Sequence, residues 1–153
     1  MNGFLDFLSN RFLITALSSW FIAQILKLII HAIIHKKINL GILISDGGMP
    51  SGHSATVTSL ATICGYVCGF DSIYFAITLV LAVIVCHDAT GVRQETGKQT
   101  VIINEIVKAF NDLSADGLPE TKLKEFVGHT PIQVTAGIAI GVLNATIMHF
   151  WVL

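Results

Sequence analysis

Apolar residues run almost unbroken from Phe12 to His35, from Ile73 to Cys86 and from Thr130 to Leu153. The first run reads as a helix of about 36 Å, enough to cross a hydrocarbon core of about 30 Å. Lys27 interrupts it, and no small-x-small cleavage site precedes a mature domain, so it reads as a retained span and not a signal peptide. Residues 36–52 form a loop with a Gly-rich end. Ser54 to Gly69 then reads as a helix of small side chains, among them Ala55, Thr58, Ser59 and Ala61. Small residues let helices approach closely inside a membrane bundle, which places this helix at the centre. Phe70 to Ser72 is a turn, and Ile73 to Cys86 is a short apolar helix.

The one extended polar region is Asp88 to Gly128. Within it Val101, Ile102, Ile103, Ile106, Val107 and Phe110 recur at helical spacing among Glu105, Lys108 and Asp112. That pattern predicts an amphipathic helix on the bundle or at the membrane surface. Ser114 to Pro119 reads as a loop, and Glu120 to Val127 as a short helix ended by Gly128. In the last apolar helix Gly137-x-x-x-Gly141 is a packing motif that would also permit pairing into a homo-oligomer. The expected fold is all-α: a polytopic helical bundle of four apolar helices plus an amphipathic one, in a single domain over residues 1–153.

Composition agrees. Charged residues make up 12 % of the 153 residues and hydrophobic ones 53 %, whereas a soluble domain carries about 25 % charged residues. The net charge of −1 gives no reason to expect nucleic acid as a partner. Cys64, Cys68 and Cys86 lie in apolar runs, form no C-x-x-C pair and offer no zinc spacing.

Candidate chemistry gathers where loops meet helices. Ser51-Gly52-His53 lies where the Gly-rich loop turns into a helix. Free N–H groups and the dipole there favour an anion, and glycine lets backbone approach it. A lysine at a helix centre costs about 2.5–3.5 kcal/mol on insertion scales, so Lys27 is expected to face the bundle interior. Gln24, Lys27 and His31 share one face with it. Arg93 offers forked donors suited to phosphate.

These residues stand in recognisable strings: Gly47-Gly48-Met49-Pro50-Ser51-Gly52-His53, then His129 with Val134 and Gly137. Pro-Ser-Gly-His followed by His-x-x-x-x-Val-x-x-Gly resembles two signature motifs of the type 2 phosphatidic acid phosphatase (PAP2) superfamily, which also holds vanadium haloperoxidases. Ala23-Gln24-x-x-Lys27, Asp46 before the glycines, Asp88-Ala89-Thr90-Gly91-Val92-Arg93 and Gly97-Lys98-Gln99 extend the likeness to the divergent PAP2 family, over roughly residues 20 to 141. The resemblance implies that His129 is a nucleophile forming a phosphohistidine and His53 the general acid. It implies phosphate contacts from Lys27, Ser51 and Gly52, with Arg93 and Lys98 as further donors. It implies neither a metal nor another cofactor. The substrate implied is a lipid phosphomonoester, with phosphatidylglycerophosphate, phosphatidate and prenyl phosphates as candidates.

Three positions depart from the usual pattern. Ile34 and Leu123 stand where PAP2 proteins carry arginines, with Lys122 and Lys124 flanking the second. Gln133 stands where a carboxylate normally holds the nucleophile's ring; Asp88 or Glu125 is the reserve for that role. Two alternatives therefore stand beside the phosphatase: a non-catalytic lipid-phosphate binder and a vanadate-dependent haloperoxidase. Lys36, Lys37, Arg93, Lys98, Lys108, Lys122 and Lys124 fall on the side of the candidate site, and only Arg11 lies beyond the opposite face. The positive-inside rule then orients the site to the cytoplasm of a bacterial-type plasma membrane.

Overall fold

The computed structural model describes residues 3–44, 48–113 and 129–152, the side chains of 4, 5, 44 and 92–94 excepted. The described elements are all helical: α1 (Gly3–Leu8), α2 (Arg11–His35), a 3-10 turn (Leu40–Ile44), α3 (Gly52–Cys68), α4 (Ile73–Thr90), α5 (Val92–Leu113), α6 (Pro131–Ile147) and a terminal π turn (Met148–Val152). The expected loop at Ser114–Pro119 and short helix at Glu120–Val127 lie outside the described residues.

Local chemistry sets each start. Asn10 Oδ1 accepts from the N–H groups of Phe12 and Leu13 at the head of α2. Ser51 and Ser72 cap α3 and α4 in the same way. Thr130 and Gln133 form a reciprocal capping box at α6, with Pro131 in its first turn. Capping residues satisfy backbone donors that the helix itself leaves without acceptors.

Helix α3 is the centre, packed against α2, α4 and α6. Three helical stretches are long and apolar enough to cross a membrane: Arg11–His35, Ile73–Leu113 and Pro131–Val152. The fourth apolar helix, α3, has 17 residues, or about 26 Å. Its short length follows from its place, because the helices around it shield it and it need not match the bilayer alone. The spanning helices bear large exposed apolar side chains such as Leu17, Phe21, Ile77, Val80, Ile84 and Leu143, as a lipid-facing surface requires. Two expected boundaries move. Helix α4 runs on to Thr90, so Asp88 lies in its last turn, and only Gly91 separates it from α5. The amphipathic helix begins at Val92, well before Val101, so Arg93 stands in a helix and not in a loop.

Helix direction follows from the contacts. Thr15 O accepts from Ser59 Oγ at 3.1 Å, whereas a Cβ on Gly52 would lie 3.7 Å from Gln24 Nε2. Helices α2 and α3 are therefore antiparallel. A Cβ on Gly137 would lie 2.5 Å from Ser51 O, and one on Gly141 2.5 Å from Ala55 O. Helices α3 and α6 are therefore parallel, with backbones touching along the Gly137-x-x-x-Gly141 face. The sequence left that motif open to pairing between chains, but here it is filled from within the chain. Asn144 Nδ2 ties α6 to α2 through Thr15 O (3.2 Å), Ser18 Oγ (2.9 Å) and Ser19 Oγ (2.7 Å).

A methyl group at position 137 or 141 would meet backbone, which cannot rotate away. Gly137→Ala and Gly141→Ala should each destabilise the protein by about 1–3 kcal/mol, measured by unfolding in detergent. Gly3→Ala, with nothing within 4 Å of the added carbon, should have no such effect.

Candidate active site

Parallel packing of α3 and α6 brings their N-termini to the same end of the bundle. Ser51 N–H donates to Gln133 O at 3.0 Å, which joins the two starts directly. The C-terminus of α4 arrives beside them, since His129 N–H donates to Ala89 O at 3.2 Å. The C-terminal half of α2 closes the fourth side. There a Cβ on Gly48 would lie 3.3 Å from both Cγ and Cδ of Lys27. Gly48 has φ +98°, a conformation that favours glycine, so the loop bends over the lysine stem with no side chain in between.

Within this enclosure the rings of His53 and His129 stand edge to face, with centroids 6.3 Å apart and planes at 83°. His129 is 2 % exposed, while His53 in the first turn of α3 is exposed. One histidine therefore sits at the floor and one at the mouth. Lys27 is 3 % exposed, with Gln24 and Ala23 buried beside it. It faces inward and does not snorkel to the surface.

The two helix starts contribute differently. At α6 the N–H groups of Thr130 and Gln133 are taken by the capping box, at 3.1 and 3.4 Å, and Pro131 has none. At α3, Ser51 Oγ caps Ser54 N at 3.3 Å and accepts from Ser54 Oγ at 3.0 Å. The N–H groups of Gly52 and His53 have no acceptor within the helix. Helix α3 thus leaves two N–H groups open at this end, whereas the cap of α6 takes those of Thr130 and Gln133. Both dipoles add positive potential at the same point.

The remaining candidates divide. Ser51 is fully buried and acts as a cap. Gly52 lies against the Trp20 ring, 3.4 Å from the position its Cβ would take. Gln133 Oε1 accepts from Thr130 N–H, so its carbonyl serves the cap in this structure. Asp88 is half-buried in the last turn of α4, next to the residue that holds the His129 backbone. Arg93 stands in the first turn of α5, just past Gly91. Lys98 is exposed and paired with Glu95 at 2.6 Å on α5. Asp46, Lys122, Lys124 and Glu125 lie outside the described residues. Among the described residues no three His, Cys, Asp or Glu side chains gather as a metal site.

Sequence reasoning missed the Thr130–Gln133 capping box, although Thr-x-x-Gln before an apolar run is its ordinary signature. It also missed Trp20 as a wall of the site. Only its spacing of four from Gln24, on the face that carries Lys27, hinted at that role.

Comparison with known proteins agrees with this geometry. The model of the divergent PAP2 family matches residues 8–144. An uncharacterized membrane protein of Bacillus subtilis (strain 168), YuiD, is 36 % identical over 156 residues, covering 96 % of this chain and 99 % of the relative. No solved structure matches. A chain matched over nearly its whole length, with both signature histidines at one end of a helical membrane bundle, is a member of the divergent PAP2 family.

Proposed function

We propose that the protein is an integral membrane lipid-phosphate phosphatase acting on a phosphomonoester, phosphatidylglycerophosphate being one such substrate. The carrying observation is the meeting of His53 and His129, 6.3 Å apart, at the cradle where α3 and α6 begin. In this reading the phosphoryl oxygens lie against the N–H groups of Gly52 and His53, with Lys27 and Arg93 adding positive charge. Such donors act where charge spreads in the transition state. His129 attacks phosphorus and the ester P–O bond breaks. His53 gives its proton to the leaving alkoxide. Water then attacks the phosphohistidine while His53 takes back a proton, and the P–N bond breaks to release inorganic phosphate. The site's place at the ends of membrane helices suits a headgroup entering from the bilayer side.

His129→Ala should abolish phosphate release from lipid phosphomonoesters by purified protein. Undiminished activity in that variant would reject the covalent route. Lys27→Ala and Arg93→Ala should each lower kcat/KM by at least tenfold, the scale of one charged hydrogen bond at about 1.5–3 kcal/mol. The uncharged Gln133 favours one rival, a lipid-phosphate binder without turnover. Binding of the lipid with no phosphate release from the wild type would establish that rival.

The nucleophile's second nitrogen needs a partner that fixes its tautomer. Gln133 Oε1 is engaged by the cap, and Asp88 adjoins Ala89, whose carbonyl holds the His129 backbone. Asp88→Asn should therefore lower kcat more than Gln133→Leu. Gln133→Glu, which keeps the capping box, should retain activity or raise it. A larger loss in Gln133→Leu than in Asp88→Asn would return the orienting role to Gln133.

The segment after α2 and the helix α5 both begin at the site's end of the bundle, and they carry Lys36, Lys37, Arg93, Lys98 and Lys108. We place that end in the cytoplasm. In a background without Cys64, Cys68 and Cys86, an impermeant maleimide on intact cells should label Ser9→Cys and spare Lys37→Cys. The reverse pattern would invert the orientation.

A further inference from the structure

One buried polar group beside the candidate site has no task in the phosphatase reading. Gln24 is 8 % exposed, on the face of α2 that carries Lys27. Its Oε1 is buried and has no hydrogen-bond partner among the described residues. A buried acceptor left without a donor costs about 1–3 kcal/mol, so its presence calls for an explanation. Leucine would fill a similar volume without that cost.

The amide faces the start of α3. A Cβ on Gly52 would lie 3.7 Å from Gln24 Nε2 and 3.4 Å from Trp20 Cδ1. Because position 52 is glycine, no side chain of its own stands between the amide and the first turn of α3. The terminal torsion of glutamine is broad and roughly two-fold, so Oε1 can turn to the place where Nε2 stands. The next residue is His53, whose ring stands 6.3 Å from that of His129. In the phosphatase reading His53 gives a proton to the leaving oxygen and takes one back from water. Both of those oxygens occupy the position in line with His129, on the far side of phosphorus. The carbonyl Oε1 accepts and cannot donate, so unprotonated phosphate oxygens do not satisfy it. Water does, and it brings a second O–H for His53.

We propose that Gln24 holds the hydrolytic water of the second step, with Oε1 accepting from one O–H while the other faces His53. This rests on the phosphatase reading and assigns a residue to its second half. The water oxygen bonds to phosphorus, and the P–N bond breaks with its electron pair returning to the His129 ring. One water proton passes to His53, and the other stays on the departing phosphate. A water held by two acceptors turns a lone pair towards phosphorus, as water-positioning residues do in other phosphoryl transfers. The first step uses no water, so loss of Gln24 falls on the second.

The test follows full-length protein in detergent on phosphatidate and phosphatidylglycerophosphate, each radiolabelled in its monoester phosphate. Phosphohistidine survives an alkaline quench, so label bound to protein reports the intermediate. In Gln24→Leu phosphate release should slow about tenfold, the scale of one lost hydrogen bond. Bound label should rise above the wild-type level, with a burst of the released alcohol. Gln24→Glu keeps an acceptor oxygen, so it should release phosphate faster than Gln24→Leu and hold less label. If Gln24→Leu fails to fold, Gln24→Asn, whose carbonyl is withdrawn by one methylene, should show the same accumulation. Unchanged release, or slower release without bound label, overturns the assignment. A structural amide or a phosphate contact would slow neither step or both. A wild type that releases phosphate beside variants that gain no label sinks this inference alone. A wild type that neither releases phosphate nor takes up label sinks the phosphatase reading, and this inference with it.

Discussion

The contact between the backbones of α3 and α6 is the constraint on which the site depends. Where Gly137 meets Ser51 and Gly141 meets Ala55, no added carbon fits. Lipid gives apolar side chains little reason to prefer each other, so close backbone packing is a main source of association in a membrane. Here it also fixes direction. The hydrogen bond from Ser51 N–H to Gln133 O then sets the two parallel helices to start at one level, and that level is the site. Ser51, Gly52 and His53 are thereby set against His129 and Gln133, although about 80 residues separate them in sequence.

Polar groups inside the bundle reinforce this arrangement. Asn144 reaches the α2 backbone and two serines, and Ser59 reaches the same Thr15 carbonyl. An amide in hydrocarbon must find partners, so these bonds favour one register of α2 against α3 and α6. That register decides where Lys27 falls. Three turns further along α2 from Thr15, it comes under Gly48 and into the enclosure. The buried lysine thus depends on a polar cluster at the other end of the bundle.

Charge follows the same logic. Two helix dipoles, a buried ammonium group and the open N–H groups of α3 converge on one small volume. Such a place favours an anion. The arginines that PAP2 proteins usually carry are absent at Ile34 and Leu123. In the proposed reading the positive charge at the pocket comes instead from the backbone, Lys27 and Arg93.

Much of this was legible in the sequence. The apolar runs gave the helical membrane fold, because a bilayer demands long uninterrupted apolar helices. The cost of a lysine in hydrocarbon pointed Lys27 inward, and the signature strings around His53 and His129 gave the family. Other features needed the tertiary structure. Gly137-x-x-x-Gly141 announces a close partner but not which one, since small residues carry no address. The end of α4 was misjudged because His87 and Asp88 read as the start of a polar stretch, while packing and a cap at Gly91 carry the helix on to Thr90. Gln133 could be matched to a missing carboxylate, yet only geometry showed its carbonyl on the Thr130 N–H. His31 could be placed on the inward face with Gln24 and Lys27, whereas His35 looked like an ordinary residue near a membrane surface. Their place in one cavity with Lys27 came from the loop that folds back over α2, a long-range contact that no local pattern encodes.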